Sequence, residues 1–240
     1  MQIPILRGCI DRRILINFRV DPQVLARRLP APFRPQQVGG CGIAGICLIR
    51  LKQVRPRHLP AWLGISSENA AHRIAVEWDR AGQPQHGVFV PRRDTSSRLN
   101  TLVGGRLFPG VHHHAAFQVQ EQNGRYHIAI DSDDRETRLQ IEGRAASDLA
   151  QDSVFKSLEA ASSFFEGGSL GYSTSRRPGQ FDGLELRSFN WRVEPLAVER
   201  VESSYFDNRE FFPAGSVEFD SALLMHGVEH EWRGRGCLCQ

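Results

Sequence analysis

The sequence predicts a β-dominated α+β fold, because short segments that alternate apolar and polar residues outnumber segments with a helical period. Asn123-Gly124 lies between two such segments and is typical of a two-residue β-hairpin turn. The run from 41 to 51 is largely apolar in both alternating sets, as expected of a strand covered on two sides. Many short strands with few helices are typical of an antiparallel barrel or sandwich.

Strands are predicted wherever the alternation is sustained, since successive side chains of a strand point to opposite faces. They cover residues 14–20, 41–51, 67–78, 86–92, 111–119, 126–130, 138–144, 184–193, 196–203 and 216–226. In the segment 67–78, the alternation places Ala70, Ile74 and Trp78 on an apolar face, with Asn69 and Arg73 on the opposite face.

Three short helices are predicted from capping signals and periodic apolar residues. They cover residues 22–29, 94–103 and 152–165. Asp21 and Pro22 supply an N-cap and a first-turn proline for the first helix. Asp94 or Thr95 is the expected N-cap of the second. Glycine pairs follow the second and third helices and are expected to end them.

Length and composition predict one domain over residues 1–240, with a flexible polar tail from about 233 to 240. No segment approaches the roughly 20 apolar residues that a membrane-spanning helix needs. The five cysteines form an odd set without metal-knuckle spacing, and Cys41 and Cys47 lie in an apolar run where a small hydrophobic side chain would serve. We therefore expect a cytoplasmic protein.

The basic residues are almost all arginine, because Lys52 and Lys156 are the only lysines. Arginine suits carboxylate and phosphate ligands, but these arginines are scattered rather than grouped along one face. The expected partner is a small anionic organic molecule, with a homo-oligomer possible and with neither nucleic acid nor membrane as a partner.

Three consecutive histidines follow a glycine-bounded turn and enter a predicted strand. Alternation places His113 on the apolar face with Val111 and Ala115, and places His112 and His114 on the opposite face. A buried imidazole at 113 would be mostly neutral and suited to act as a general base or metal ligand. The alternative is a hydrogen-bonded core histidine, and His112 and His114 are either exposed to solvent or metal-binding.

Glu68 and His72 fall on the apolar face of their predicted strand. A carboxylate on such a face is costly unless it is paired, protonated or used in chemistry. One interpretation is that Glu68 and His113 meet in a common cavity as an acid/base pair. The alternative is a structural ion pair between Glu68 and an arginine. The candidate arginines are Arg19, Arg98 and Arg106.

The chain resembles the acetoacetate decarboxylase-like superfamily, in particular a bacterial branch of domains of unknown function that includes DUF2071. The resemblance rests on Phe18-Arg19-Val20-Asp21 ahead of a short helix and Leu29-Pro30-Ala31-Pro32-Phe33, on the pair Ser67-Glu68, and on the pair Gly105-Arg106. It implies a closed, cone-like antiparallel β-barrel. It also implies Arg19 as an anion clamp, Glu68 as a pocket glutamate and Arg106 as a further ligand-binding residue. His72, on the same predicted strand face as Glu68, is also expected to bind the ligand.

The resemblance breaks at the nucleophile. The family has two adjacent lysines after its Gly-Arg pair, and an ungapped count places His113 and His114 at those positions. An imidazole cannot form the iminium that Schiff-base decarboxylation requires. We therefore expect no Schiff-base decarboxylase activity and no cofactor.

Three functional hypotheses remain open. The first is a small-molecule enzyme with lyase or isomerase chemistry by proton transfer, in which His113, Glu68 and His114 are catalytic and Arg19 binds an anionic ligand. The second is a non-catalytic binding or sensing module that keeps the same pocket. The third is a metal-dependent enzyme that uses His113 with Glu68 or His72.

Overall fold

A computed structural model describes residues 4–105 and 108–239 of the chain. The described residues form a β-dominated structure, which confirms the predicted fold class. Its strands are β1 (Leu6–Val20), β2 (Arg34–Pro35), β3 (Gln37–Val38), β4 (Cys41–Pro56), β5 (Ile65–Arg80), β6 (Gln83–Thr95), β7 (His113–Gln122), β8 (Arg125–Ser132), β9 (Arg138–Ala145), β10 (Leu170–Thr174), β11 (Gln180–Ser188), β12 (Glu194–Ser203) and β13 (Val217–Cys239). Its α-helices are α1 (Pro22–Ala26), α2 (Arg98–Val103) and α3 (Leu158–Gly167).

The helices begin where side-chain oxygens cap them. The Asp21 carboxylate accepts a hydrogen bond from the Gln23 backbone at 2.7 Å, which confirms the predicted cap of α1. Helix α2 is capped by Ser97, because β6 continues through Thr95. The prediction that α2 begins at Asp94 or Thr95 is therefore wrong. Helix α3 begins at Leu158 after Ser157, later than predicted.

Seven strands pair in a closed ring. In order around the ring they are β13, β1, β4, β5, β6, β10 and β11, and β11 pairs again with β13. The pairs in this ring are antiparallel except for β6 with β10. Strands β7, β8, β9 and β12 form a second path from β6 back to β13.

Two hydrophobic cores lie on opposite faces of the ring strands. The larger core holds Ile14 and Ile16 of β1, and the smaller holds Leu15, which lies between them in sequence. Ala70 and Trp78 of β5 belong to the larger core, which confirms the predicted apolar face of that strand. Both faces are covered because the ring closes on one side and the second strand path packs on the other.

One predicted turn is confirmed, whereas the C-terminal segment and several strands differ from the prediction. The Asn123-Gly124 hairpin joins β7 and β8 with φ of 52° and 72°, as predicted. Residues 233–239, expected to be a flexible tail, continue β13, and Arg233 to Cys239 pair with β11. Strand β10 was not predicted. Among the described residues, no helix is long and apolar enough to cross a membrane.

Candidate functional site: a cavity lined by arginines

A cavity of about 130 Å³ is lined by residues from all seven strands of the ring. Phe165 of α3 and Trp191 also border it. A second cavity, of about 190 Å³, adjoins the first. The two share Leu51, Asn69, Phe108, His112 and Trp232. Most of the lining is apolar, so the charged groups within it stand out.

Three of the charged lining groups are guanidinium groups, from Arg13 on β1, Arg73 on β5 and Arg93 on β6. None of the three forms an ion pair with a carboxylate in the part of the chain that the structure describes. Their hydrogen bonds go to neutral acceptors instead. Arg13 donates to Cys47 Sγ at 3.0 Å, Arg93 donates to Ser173 Oγ at 3.0 Å, and Arg73 donates to Asn17 Oδ1.

Two of these guanidinium groups are buried with unused donors. The Nε atoms of Arg73 and Arg93 lie out of solvent and have no hydrogen-bond partner. Burial lowers the pKa of each to about 10, so both stay protonated at neutral pH. Arg73 packs 4.7 Å from the centre of the Phe165 ring, and Arg13 lies 5.8 Å from that of Trp191.

The acid nearest in sequence to Arg93 does not neutralise this cluster. Asp94 borders the cavity, but its carboxylate accepts hydrogen bonds from Arg92 at 2.7 Å and from Thr137 at 3.3 Å. Burial raises the pKa of Asp94, and the Arg92 guanidinium opposes that shift. The arginines of the cavity therefore carry an excess of positive charge.

Two glycines leave room for these guanidinium groups. A Cβ atom at Gly45 would lie 2.1 Å from the Ile16 carbonyl oxygen and 3.4 Å from Arg73 Nη2. A Cβ atom at Gly110 would lie 2.8 Å from Arg93 Nε, and the φ of this glycine is +81°. The turn that the sequence placed before the histidines thus also makes space for Arg93.

His112 is the histidine of the triplet that borders the cavity. Burial, and secondly the charge of Arg93, lowers its pKa to about 3, so the imidazole is neutral at physiological pH. Its Nδ1 lies 3.1 Å from the Gly110 carbonyl oxygen. A carbonyl can only accept, so Nδ1 carries the proton and Nε2 is left as an acceptor.

His113 and His114 lie elsewhere, so the orientation predicted for the triplet is wrong. His113 Nδ1 is 2.9 Å from the Asp134 carboxylate, and its side chain is 37% exposed. His114 Nδ1 is 2.9 Å from the Asp133 carboxylate. His112 precedes β7, which begins at His113, so strand alternation does not govern the direction of its side chain. His113 keeps the parity of Ala115, but at the first residue of the strand it lies beside Asp134 instead of in the interior.

Glu68 occupies a balanced ion cluster rather than the cavity. Its carboxylate accepts from Arg12 at 2.6 Å and from Arg50 at 2.5 Å, and both arginines also bind Glu121. An ion pair was the structural alternative considered for Glu68, but the arginines expected were different ones. Neither Glu68 nor His113 lines the cavity, so the common cavity predicted for them is not formed.

The predicted ligand-binding residues are also placed outside the cavity lining or outside the described residues. Arg19 Nη2 lies 2.9 Å from Glu218, and its guanidinium also lies near Asp152. His72 is fully buried, and its ring centre is 4.7 Å from that of Tyr205 in the larger core. Arg106 lies outside the residues that the structure describes.

Both lysines lie in described segments, and neither borders the cavity. Lys52 Nζ is 2.8 Å from Asp11, and its side chain is 52% exposed. Lys156 is exposed. Among the described residues, His, Cys, Asp and Glu form no group of three or more that could hold a metal ion.

The fold is similar to solved structures of acetoacetate decarboxylase-like enzymes. Acetoacetate decarboxylase from Legionella pneumophila subsp. pneumophila str. Philadelphia 1 matches with a TM-score of 0.63 and 10% identity, over 97% of this chain and 87% of that one. The enduracididine biosynthesis enzyme MppR in complex with pyruvate matches with a TM-score of 0.65 and 12% identity, over 100% and 91% of the two chains. An acetoacetate decarboxylase-like enzyme from Sphingomonas wittichii RW1 gives a TM-score of 0.60 and 14% identity, over 100% and 93%. At these identities the likeness shows the fold alone.

No curated protein matches the chain. The family DUF2071, described as an uncharacterized conserved protein, matches residues 10–227, which is most of the chain. The protein therefore belongs to the DUF2071 family and has the acetoacetate decarboxylase-like fold.

Proposed function

We propose that the arginine-lined cavity binds a small carboxylic acid, with 2-oxo acids as the favoured class. One observation carries the proposal: Arg13, Arg73 and Arg93 line a single cavity, and none of them is ion-paired with a carboxylate among the described residues. A planar guanidinium presents paired donors that match the two oxygens of a carboxylate.

Buried charges in proteins are normally paired with a counter-charge. Taking an ion out of water costs several kcal/mol after relaxation unless a counter-charge and hydrogen bonds offset that cost. In the cavity, Arg73 and Arg93 have incurred this cost and still hold unused Nε donors. A bound carboxylate supplies the missing negative charge and acceptors, so ligand binding should stabilise the folded protein.

The ligand should be small and should have an apolar part. The first cavity has about 130 Å³ of interior space and mainly aliphatic and aromatic walls. One protein of similar fold, MppR, was solved in complex with pyruvate, which is a 2-oxo acid. That ligand agrees in size and charge with the arginine cluster of this chain.

We infer that any chemistry on such an acid proceeds without a lysine Schiff base. Lys52 is engaged with Asp11 and half exposed, and Lys156 is exposed. Borohydride treatment in the presence of pyruvate should leave the intact mass unchanged. A reduced adduct on either lysine would contradict this inference.

A second candidate function is a proton-transfer enzyme, favoured by the neutral imidazole of His112 beside Arg93. Its Nε2 could accept a proton from the carbon next to the carbonyl of a bound 2-oxo acid. Exchange of the pyruvate methyl protons for deuterium, followed by NMR, separates the two candidates. Protein-dependent exchange that is lost in His112→Gln supports an enzyme, and binding without exchange supports a binding module.

The binding proposal is tested by titrating pyruvate and its neutral analogue pyruvamide into the protein in a calorimeter. Pyruvate should bind and pyruvamide should bind much more weakly, because only pyruvate carries the charge. Arg73→Met should weaken pyruvate binding about 30-fold, which corresponds to roughly 2 kcal/mol for charge-assisted hydrogen bonds.

The matched control is Arg138→Met. Arg138 is 82% exposed and pairs with Asp131 on β8, outside the ring. This variant should bind pyruvate like the unmodified protein. Equal affinity for pyruvate and pyruvamide, or equal losses in the two variants, would contradict the proposal.

A further inference from the structure

The cavity also contains a thiol for which the binding proposal has no use. Cys47 lies on β4, is 3% exposed, and borders the cavity together with the three arginines. The apolar run around it was interpreted as calling only for a small hydrophobic residue. The structure places its sulfur among cations instead, since Arg13 Nε donates to Cys47 Sγ at 3.0 Å.

The strand register shows what surrounds this sulfur. Cys47 is paired with Ala71 on β5, and Ala71 is paired with Arg93 on β6. Gly45, two residues earlier on the same face of β4, is paired with Arg73. Directly paired residues share a face of the sheet. In this register only the small residue Ala71 lies between Cys47 and Arg93, and Gly45 leaves room for the Arg73 guanidinium on the same face.

Electrostatic coupling supports this placement. The negative charge of the Cys47 thiolate form raises the pKa of both Arg73 and Arg93, partly opposing their burial. The same two arginines line the cavity that Cys47 borders, and the Nε atom of each has no hydrogen-bond partner. An anion held by these arginines would therefore lie beside the sulfur.

We propose that Cys47 is a covalent site of the cavity, at which its sulfur adds to the carbonyl carbon of a 2-oxo acid held by Arg73 and Arg93. The C–S bond forms as the carbonyl π bond opens, and the thiol proton passes to the carbonyl oxygen, which gives a hemithioketal. The step is reversible and requires no oxidant and no second reactant. It rests on the carboxylate binding proposed above, because the arginines bring the carbonyl carbon to the sulfur.

Alkylation with two reagents of similar shape tests the site. Iodoacetate carries a carboxylate and iodoacetamide does not, and both convert a thiol to a thioether with loss of iodide and a proton. Peptide mapping by mass spectrometry then gives the rate at each cysteine. Cys41, which lies near the start of the same strand and outside the cavity lining, is the internal control.

The ratio of the iodoacetate rate to the iodoacetamide rate should be at least about tenfold higher at Cys47 than at Cys41, because the cationic cavity concentrates the anion. Arg93→Met should reduce the ratio at Cys47 toward that at Cys41, and pyruvate should protect Cys47 alone. Equal ratios at the two cysteines, or no reaction of Cys47 with either reagent, would overturn the proposal.

Carbon-13 NMR of pyruvate labelled at its carbonyl carbon tests the addition step directly. Binding should replace the carbonyl resonance of the bound ligand with that of a tetrahedral carbon, and Cys47→Ala should restore the carbonyl resonance. A carbonyl resonance that persists in the bound state of the unmodified protein overturns the addition step. If pyruvate binds in the calorimeter without forming such an adduct, the proposal of carboxylate binding is retained and the proposal of a covalent role for Cys47 is contradicted. If no carboxylate binds, both proposals fail.

Discussion

Arg12 and Arg13 are neighbours in sequence but belong to opposite faces of β1 and to opposite electrostatic environments. Arg12 is 1% exposed, and its charge is matched by Glu68 and Glu121. Arg13 borders the cavity and donates to a thiol instead of a carboxylate. At this point of the strand, one face thus holds balanced charge, and the other holds a guanidinium group that no described carboxylate pairs with.

Arg92 and Arg93 repeat the contrast on β6. Arg92 binds the carboxylates of Asp94, Asp134 and Glu136. Arg93 donates to a serine hydroxyl and keeps an unused Nε. The difference separates arginines that are ion-paired within the fold from arginines that we propose bind a ligand. Burial alone does not make that distinction, because Arg12 and Arg73 are both buried.

The largest expected effect concerns stability on the two faces of β1. Arg12→Met should lower the free energy of unfolding by about 3 kcal/mol, because it leaves Glu68 and Glu121 facing each other with one shared cation, Arg50. Arg13→Met should change it by less than about 1 kcal/mol, since no carboxylate loses its partner. Urea denaturation of both variants measures the difference. Equal losses of stability in Arg12→Met and Arg13→Met would contradict the difference between the two faces of β1.

The next effect is the acid sensitivity of the larger core. Burial, and secondly Arg92, lowers the pKa of His72 to about 3, whereas the unfolded chain has the ordinary value near 6.5. Below pH 6.5 the unfolded state therefore binds a proton that the folded state does not, so stability falls as pH falls toward 3 and is fully present above 6.5.

His72→Leu should reduce that loss of stability by up to about 1.4 kcal/mol per pH unit below pH 6. Denaturation of the variant and of the unmodified protein at pH 7 and pH 5 measures the change in slope. An unchanged slope would show that His72 is not held neutral by burial.

A smaller effect separates backbone strain from damage to the cavity. Gly110 and Gly215 have φ of +81° and +76°, so alanine at either position should cost about 1 kcal/mol of stability. Only at Gly110 would the new Cβ meet Arg93, since nothing lies within 4 Å of a Cβ at Gly215. Gly110→Ala should therefore weaken pyruvate binding while Gly215→Ala leaves it unchanged. Equal affinities in the two variants would argue against a role for Arg93.

The smallest effect is a difference in response between two buried histidines. The charge of Arg93 contributes to the lowered pKa of His112, and that of Arg92 contributes to the lowered pKa of His72. A bound carboxylate should offset the charge of Arg93 and so raise the pKa of His112, without affecting that of His72. NMR titration of the imidazole resonances with and without pyruvate measures both. If pyruvate leaves the pKa of His112 unchanged, the ligand binds away from Arg93.

The sequence predicted the fold class, most strands and the faces of β5, because alternation is a local property. The sequence did not predict the cavity arginines, because of where they lie relative to the predicted strands. Arg13 and Arg93 lie just outside the strands predicted over 14–20 and 86–92, so no face was assigned to them. Arg73 was assigned to the correct face, but that face becomes interior only through closure of the ring by β10, β11 and β13.

The residues that the sequence indicated for a site do not line the cavity. A pocket for an anionic ligand was expected at Arg19 and Glu68, and both prove to be ion-paired. The partners of a charged side chain are set by contacts that are distant in sequence, such as Arg12 with Glu121. One signal was available in the chain: two of its four pairs of adjacent arginines, at 12–13 and 92–93, adjoin predicted strands, and neighbouring residues of a strand point to opposite faces.

The most direct test of the central claim is a crystal structure of the protein soaked with pyruvate. The carboxylate oxygens should lie within hydrogen-bond distance of the guanidinium groups of Arg73 and Arg93, inside the ring of strands. Pyruvate bound instead at the Arg12 and Arg50 cluster, or an empty cavity at concentrations that saturate binding in solution, would contradict the claim.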